Sequence, residues 1–368
     1  MITLGVEEEY LLVDPVDGLP VPMAETVRAA ADLQPAVAGG EIQPELLQMQ
    51  VEVATPVCET LDEVGGHLLR LRHSVAAAAE QAGCVLVASG SSPFGPGPPA
   101  EVTDRIRYRS LHSDAPRLVD EMFINGMHVH VAVPDRDAGV TVLNRLRPWL
   151  PLLVAMSANS PLWEGGDTGF ASWRTIVFGR WSVSGVPPAF VDANDYDARI
   201  DDLLNAGVLR DRARVYWQIR LSDRYPTVEV RAMDVQLRVD DAVMLAGIVR
   251  ALVTTVLREA TAGQPSPRPA PELVAAAQWY AARHGLTDVL VDPYTPHRLK
   301  AGELVGRLIE YVTPALADTG DARQVDALVH RLMREGTAAD RQREAFRRGG
   351  RDELLRLLVS ESTMSHRH

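Results

Sequence analysis

A two-residue alternation of apolar and charged side chains constrains this chain more than any other feature of its sequence. In residues 4–12 the even positions are apolar except for Glu8, while Glu7 and Glu9 occupy odd positions. Successive side chains of a strand point to opposite faces, so Glu7 and Glu9 leave the same face, roughly 6.6 Å apart. Two carboxylates this close repel each other unless a cation lies between them. The segment therefore predicts either a site for a hard cation, Mg²⁺ or Mn²⁺, or a solvated edge strand.

Four further segments repeat the alternation and favour the cation site. Each has apolar residues on one parity and amide, acidic or basic residues on the other. The polar residues are Gln48, Gln50 and Glu52 in 47–53, His128 and His130 in 124–133, Gln218 and Arg220 in 215–221, and Glu229 and Arg231 in 227–233. A solvated sheet face is usually rich in Thr, Lys and Ser, whereas these faces carry no Lys. We therefore predict a sheet with one face on the core and the other lining a metal- and anion-binding site.

Lysine is almost absent from the chain, which excludes several classes of nucleotide-binding protein. Lys300 is the single lysine among 37 basic residues, so no Gly-Lys-Ser/Thr phosphate-binding loop exists. The net charge of −12 argues against nucleic acid or an anionic membrane as a partner. No amino-terminal signal and no apolar run of membrane-spanning length are evident, and the two cysteines form no disulfide framework. We therefore expect a cytoplasmic location.

The order of the predicted elements indicates an α+β fold with a mainly antiparallel sheet. We predict one catalytic domain over residues 1–362, strand-rich over 1–239 and helical over 240–362, followed by a disordered tail at 363–368. The segments 215–221 and 227–233 are expected to form a hairpin, and late helices are expected at 272–284, 297–312, 321–335 and 338–359. The sequence leaves the conformation of 159–190 undecided.

Seven motifs spread over nearly the whole chain resemble those of one enzyme family. They are GVEEEY at 5–10, QMQVEVAT at 48–55, NGMHVH at 125–130, SANSP at 157–161, DTGFASWRT at 167–175, EVRAMD at 229–234 and GTAADRQ at 336–342. Each motif is weak alone, but the set in this order is similar to the bacterial carboxylate–amine ligases of the glutamate–cysteine ligase type 2 group. The resemblance implies a glutamine synthetase-like catalytic fold. In that fold helices flank a curved antiparallel sheet, a funnel with ATP and divalent metals on its concave face.

The resemblance also assigns expected roles to individual residues. Two or three Mg²⁺ or Mn²⁺ ions are expected on Glu7, Glu9, Glu45, Glu52, His128 and Glu229. Arg231 matches an arginine on the transferred phosphoryl group, and we expect it to be catalytic together with Glu52. Arg174 and Arg180 lie in the region where a substrate carboxylate needs partners. We also expect ATP or substrate contacts from Arg220 and His130, which lie on the polar faces of their predicted strands.

The reaction implied by the resemblance is ATP-dependent amide-bond formation through an acyl phosphate. Phosphoryl transfer needs positioning and charge neutralisation, which metal ions on an acidic wall and an arginine supply. The default substrates are glutamate and cysteine or a related pair of a carboxylate and an amine, and a homodimer is an open alternative to a monomer. Two other functions stay open: a metal-dependent hydrolase using His128 and His130, and a non-catalytic nucleotide-binding protein on the same scaffold.

Overall fold

Seven antiparallel strands form the main sheet of the computed structural model, which describes residues 2–31, 41–95 and 100–364. The sheet has the order β10-β11-β5-β1-β3-β2, and β4 pairs with the far end of β1. Its strands are β1 (Leu4–Val13), β2 (Ile42–Pro44), β3 (Gln50–Ala54), β4 (Val85–Val87), β5 (Gly126–Ala132), β10 (Ile219–Leu221) and β11 (Thr227–Asp234). Three two-stranded units add β6 (Leu162–Trp163) with β7 (Gly166–Asp167), β8 (Ser184–Gly185) with β9 (Tyr216–Trp217), and β12 (Val289–Val291) with β13 (Arg298–Lys300).

Helices surround this sheet and make up the chain beyond residue 239, apart from the β12–β13 unit. They are α1 (Ala24–Ala30), α2 (Leu61–Gln81), α3 (Ile106–Asp114), α4 (Pro116–Asp120), α5 (Arg136–Leu146), α6 (Leu150–Met156), α7 (Trp173–Phe178), α8 (Ala193–Asn205), α9 (Val239–Thr261), α10 (Pro271–His284), α11 (Ala301–Thr319), α12 (Ala322–Glu335) and α13 (Ala338–Thr363). Short 3-10 helices cover Arg147–Trp149 and Arg212–Arg214. The predicted α+β class, antiparallel sheet and helical last third are confirmed.

The apolar face of the sheet forms the core. Val6, Val129 and Val230 are register neighbours across β1, β5 and β11, and all three are buried. They pack against α2, α5, α6 and α9 in one hydrophobic cluster. Burying one such side chain stabilises the fold by ~1.5–3 kcal/mol, so the strand register is fixed by its apolar parity. The opposite parity is thereby presented to the other side of the sheet.

Glu8 lies on the core side of β1 and is fully buried in an ion pair. Arg72 of α2 donates to its two carboxylate oxygens at 2.6 and 2.9 Å, and the Tyr10 hydroxyl donates to it at 2.5 Å. Arg72 also donates to the carbonyls of Gln236, Leu237 and Ser362. Glu8 therefore has a structural role, as the counter-charge of a buried arginine.

Three predicted elements differ from the structure. The predicted strand 215–221 is split at Gln218, which donates to Gly185 and accepts from Arg231, so β9 pairs with β8 and only β10 continues the hairpin with β11. Residues 48–49 form a turn before β3 instead of extending it, and Leu47 makes an isolated bridge with Val102. The predicted helix 297–312 begins only at Ala301, because residues 298–300 pair with β12.

The regions without a definite prediction, or near the carboxyl end, are also defined. The segment 159–190 contains the β6–β7 unit and α7, followed by β8. Helix α13 extends through Thr363, so the tail predicted to begin at 363 starts too early, and residues 365–368 lie outside the described part of the chain. Within the described ranges, no helix combines the length and the apolar character that crossing a membrane requires.

Candidate active site

Five of the predicted metal ligands come from the polar face of the main sheet, and Glu45 follows β2. Glu9 lies opposite Glu52 in the pairing of β1 with β3, and Glu7 lies opposite His128 in the pairing of β1 with β5. Glu229 of β11 lies opposite His130. The six predicted ligands and His130 line one cavity of about 650 Å³. The parity pattern of the sequence therefore becomes one continuous acidic wall.

The first cluster of the wall contains Glu7, His128 and Glu229, whose ligand atoms lie within 4.8 Å of one another. His128 Nδ1 lies 3.2 Å from Glu7 Oε2 and 3.9 Å from Glu229 Oε1. Burial raises the pKa of Glu7, but hydrogen bonds from His128 and His130 outweigh it and hold that pKa well below its usual value. The pKa of Glu229 is likewise held low, because Arg231 and Arg220 outweigh its burial.

The second cluster contains Glu9, Glu45 and Glu52. Burial, followed by repulsion from Glu7 and from Glu45, raises the pKa of Glu52 well above its ordinary value. Burial and the charge of Glu9 also raise the pKa of Glu45. Among the described residues, neither Glu45 nor Glu52 has an ion-pair partner within 4.0 Å. Two of the three acids in this cluster therefore lack a direct ion-pair partner among the described residues.

The donor atoms of both clusters fit divalent cations. The five carboxylates are oxygen ligands that suit Mg²⁺ or Mn²⁺, and the clusters contain a single imidazole beside them. His128 Nε2 points between the clusters, 3.6 Å from Glu9 Oε1, and is buried without a hydrogen-bond partner in the described structure. Burial and the charge of Arg231 lower the pKa of His128, which favours the neutral imidazole that binds metals. The six side chains therefore come together as predicted, and their role as metal ligands stays a prediction.

Two arginines bring positive charge to the same cavity. Arg231 of β11 pairs with Glu229, and its Nε is buried without a partner in the described structure. Arg174 of α7 is 3% exposed, donates from Nη2 to the Arg231 carbonyl at 3.3 Å, and also has an unpartnered Nε. A Cβ on Gly126 would fall onto the Arg174 guanidinium, so this glycine leaves room for the arginine. Both side chains have donors free for an anionic ligand.

Arg220 and His130 also line the cavity but are held by the protein. Arg220 donates to Glu229 at 2.7 Å and to the carbonyls of Ala213 and Val215. His130 Nε2 lies 3.4 Å from Glu7, and its Nδ1 lies 3.1 Å from the Thr227 hydroxyl. The position of Arg220 favours orienting Glu229 over direct contact with ATP or substrate.

Arg180 does not join the site. It lies just after α7, pairs with Glu121, and donates to the Val177 carbonyl. It is absent from the residues that line the cavity. The geometry therefore gives no support to its expected contact with substrate.

The sequence reasoning missed the other end of the cavity, beside the second cluster. Its wall is formed by Arg107 and by the aromatic residues Tyr108, Phe178, Trp181 and Tyr216. Phe178 and Trp181 pack on Tyr216 with ring centroids 5.6 and 5.4 Å apart. The abundance of aromatic residues in 173–181 was the one available signal, and it is equally typical of ordinary packing.

The fold is shared with solved structures of other proteins. A glutamate–cysteine ligase from Francisella tularensis, solved in complex with AMP, aligns with a TM-score of 0.70 at 13% identity over 99% of this chain and 89% of that one. A bifunctional glutathione synthetase from Pasteurella multocida aligns with a TM-score of 0.71 at 15% identity, over 98% of this chain and 52% of that one. At these identities the likeness establishes a shared fold.

The chain belongs to glutamate–cysteine ligase family 2, whose sequence model matches residues 3–361. A relative from Rhodopirellula baltica, provisionally named glutamate–cysteine ligase 2, is 40% identical over 95% of this chain and 93% of its own length. A relative from Mycolicibacterium vanbaalenii with the provisional name glutamate–cysteine ligase 2-2 is 45% identical over 94% of this chain and 93% of its own length. The family resemblance seen in the sequence motifs is confirmed.

Proposed function

We propose that the protein is an ATP-dependent carboxylate–amine ligase that activates its carboxylate substrate as an acyl phosphate. The observation that carries the proposal is the presence of two metal-ligand clusters and two incompletely paired arginines in one cavity. An acidic wall of this kind repels a triphosphate unless cations lie between them. The same wall with its cations is suited to phosphoryl transfer, which depends on positioning and charge neutralisation.

The proposed reaction has two steps. A carboxylate oxygen attacks the γ-phosphorus of ATP, the bond to the bridging oxygen breaks, and ADP leaves. The amine nitrogen then attacks the acyl carbon, phosphate leaves with the carbon–oxygen electron pair, and the nitrogen loses a proton. Divalent cations on the two clusters would neutralise the phosphate charge that builds up during the first step.

The residues of the chain divide this work by position. Glu7, His128 and Glu229 would hold one ion, and Glu9, Glu45 and Glu52 would hold another. Arg231 lies beside the first cluster with free donors, so it would bind the transferred phosphoryl group. Arg174 would bind the substrate carboxylate.

The names of the relatives suggest glutamate and cysteine as default substrates. We extend that pair to this chain as a proposal, together with a cytoplasmic location, where ATP and free amino acids are plentiful. The hydrolase alternative is not favoured, because His128 clusters with Glu7 and Glu229 while His130 lies outside both clusters. The completeness of the acidic wall also disfavours a non-catalytic nucleotide-binding role.

The nucleotide product tests the proposal. The purified protein is supplied with Mg²⁺, ATP and pairs of amino acids, including L-glutamate with L-cysteine, and products are identified by mass spectrometry. We expect ADP, phosphate and an amide in equal amounts. AMP and pyrophosphate as stoichiometric products would contradict the acyl-phosphate route. Arg231→Lys should lower turnover, since a point charge does not reproduce the bidentate fork of a guanidinium.

A further inference from the structure

Asp234, the last residue of β11, is a buried carboxylate outside both metal-ligand clusters. It is 1% exposed and has no ion-pair partner within 4.0 Å among the described residues. It accepts hydrogen bonds from Asn159 N at 2.9 Å, Ser160 Oγ at 2.7 Å and Ser172 Oγ at 2.8 Å. Gly90 closes the remaining side, where a Cβ would lie 2.9 Å from the Asp234 carboxyl carbon. Burying a carboxylate without a counter-charge is unfavourable in free energy, so stabilising the fold does not account for this residue.

The carboxylate fixes the direction of two hydroxyl groups. An ionised carboxylate only accepts hydrogen bonds, so Ser160 and Ser172 must each point their single hydroxyl hydrogen at Asp234. Their lone pairs are then left for the backbone at the start of α7. Ser160 Oγ accepts from Arg174 N at 3.0 Å, and Ser172 Oγ accepts from Thr175 N at 3.3 Å. Asp234 therefore sets the capping of α7 through these serines.

The helix start held in this way carries Arg174. Arg174 is the second residue of α7, and its guanidinium donates to the carbonyl of Arg231, three residues before Asp234 on β11. Asp234 thus connects the backbone of Arg174 to β11, the strand that carries Arg231.

We propose that Asp234 is a positioning residue that sets Arg174 for binding the substrate carboxylate beside Arg231. The inference rests on the proposed function, in which Arg174 binds that carboxylate. Asp234 does not line the cavity, so its effect on the substrate has to pass through Arg174. Asparagine at position 234 would present an amide N–H in place of one carboxylate oxygen. One serine would have to accept from that N–H and turn its hydroxyl hydrogen away from residue 234, which disturbs the acceptor that it offers to α7.

The test is Asp234→Asn in the full chain, with L-glutamate as the probe. We expect the KM for L-glutamate and its Kd by calorimetry to rise about tenfold, while the KM for ATP changes less than twofold. Arg174→Gln should raise the L-glutamate KM at least as much. The double variant should be no worse than Arg174→Gln alone, because both changes remove the same contact.

Controls keep the outcome specific. Asp240→Asn, at an aspartate of α9 that pairs with Arg331 outside the cavity, should leave both KM values unchanged. If Asp234→Asn is recovered unfolded, Ser172→Ala retains the carboxylate and should give a smaller rise in the L-glutamate KM alone. Equal rises in both KM values, an unchanged L-glutamate KM, or additive effects with Arg174→Gln would overturn the inference. Failure of the wild type to bind L-glutamate would instead contradict the proposed function.

Discussion

At the scale of single residues, the glutamates of the wall have pKa values shifted in opposite directions because their neighbours differ. Glu7 and Glu229 face histidines and arginines, which hold their pKa values low. Glu45 and Glu52 face mainly other carboxylates, and their pKa values are raised by burial and by those acids. The second cluster is therefore the part of the wall that most needs a cation supplied from outside the protein.

Glu52→Gln should separate catalysis from folding. The substitution preserves shape and removes one charge from the second cluster, so turnover should fall about 100-fold or more. Without metal, the variant should unfold at the same temperature as the wild type or higher, because repulsion is relieved. Turnover of ATP and thermal unfolding in EDTA measure both effects. Glu272→Gln, at an exposed position in the first turn of α10, is the control. Unfolding of Glu52→Gln at room temperature would make this acid structural.

The stability gain of Glu52→Gln should depend on pH. A raised pKa means that the folded state binds the Glu52 proton more tightly than the unfolded state does. The charged carboxylate lowers the free energy of unfolding. This loss of stability is therefore absent below the ordinary glutamate pKa of 4.5 and grows as pH rises through the raised pKa. In EDTA, the variant and the wild type should melt together at pH 4, and the variant should melt a few degrees higher at pH 8. A difference independent of pH would contradict this assignment.

At the scale of elements, β1 presents carboxylates on both of its faces. Glu7 and Glu9 face the cavity, whereas Glu8 faces the core and is matched by Arg72. Helix α2 also carries Arg70, which is 43% exposed and pairs with Glu41. Glu41 is buried, so the same helix offers one ion pair that is buried at both ends and one that is exposed only at its arginine.

Arg72→Met should destabilise the protein strongly, and Arg70→Met should destabilise it less. Removing Arg72 leaves Glu8 buried without a counter-charge, which typically costs about 3–5 kcal/mol. Arg70 is 43% exposed, so water replaces part of its lost interaction with the buried Glu41, and removing it should cost less than removing Arg72. Urea unfolding of both variants in EDTA measures the difference. Introducing Glu8→Leu together with Arg72→Met should restore part of the lost stability, and similar losses in the two single variants would contradict the argument.

Parity explains which elements the sequence could predict. β1, β5 and β11 were predicted correctly because each buries one face over many residues. The split at Gln218 depends on Gly185 and Arg231, and β13 depends on β12, so local pattern could not reveal either. The local pattern could not reveal the position of Arg180 either, because its pairing with the distant Glu121 holds it outside the cavity. Arg107 lies on an exposed part of α3 that shows no distinctive pattern, and its place in the cavity is set by tertiary packing.

At the scale of the whole molecule, the late helices are attached to the sheet by buried contacts. Gln342 of α13 donates to Asn159, whose side chain donates to the carbonyls of Ala88 and Val235. Ser362, near the end of α13, accepts from Ala88 N at 2.8 Å. The single catalytic domain over 1–362 stays a prediction that these contacts support.

Calorimetry tests whether these parts unfold as one unit. We expect a single thermal transition in EDTA, with calorimetric and van't Hoff enthalpies in agreement. Ser362→Ala should lower its midpoint without splitting it, because Ala88 N loses its buried acceptor. Ser360→Ala, at an exposed serine of the same helix, is the matched control. Two resolved transitions would instead divide the strand-rich and helical parts into separate domains.

The hydrogen bonds of Arg72 have a consequence for synthesis on the ribosome. Its guanidinium neutralises Glu8 in the first strand and also donates to the Ser362 carbonyl, 290 residues further along the chain. A growing chain cannot complete the hydrogen bonding of this buried arginine until α13 has emerged. Loops of this length close late, after local helices and hairpins have formed. The acidic strand at the centre of the wall is thus translated well before α13, but its buried contacts are completed only after α13 has emerged.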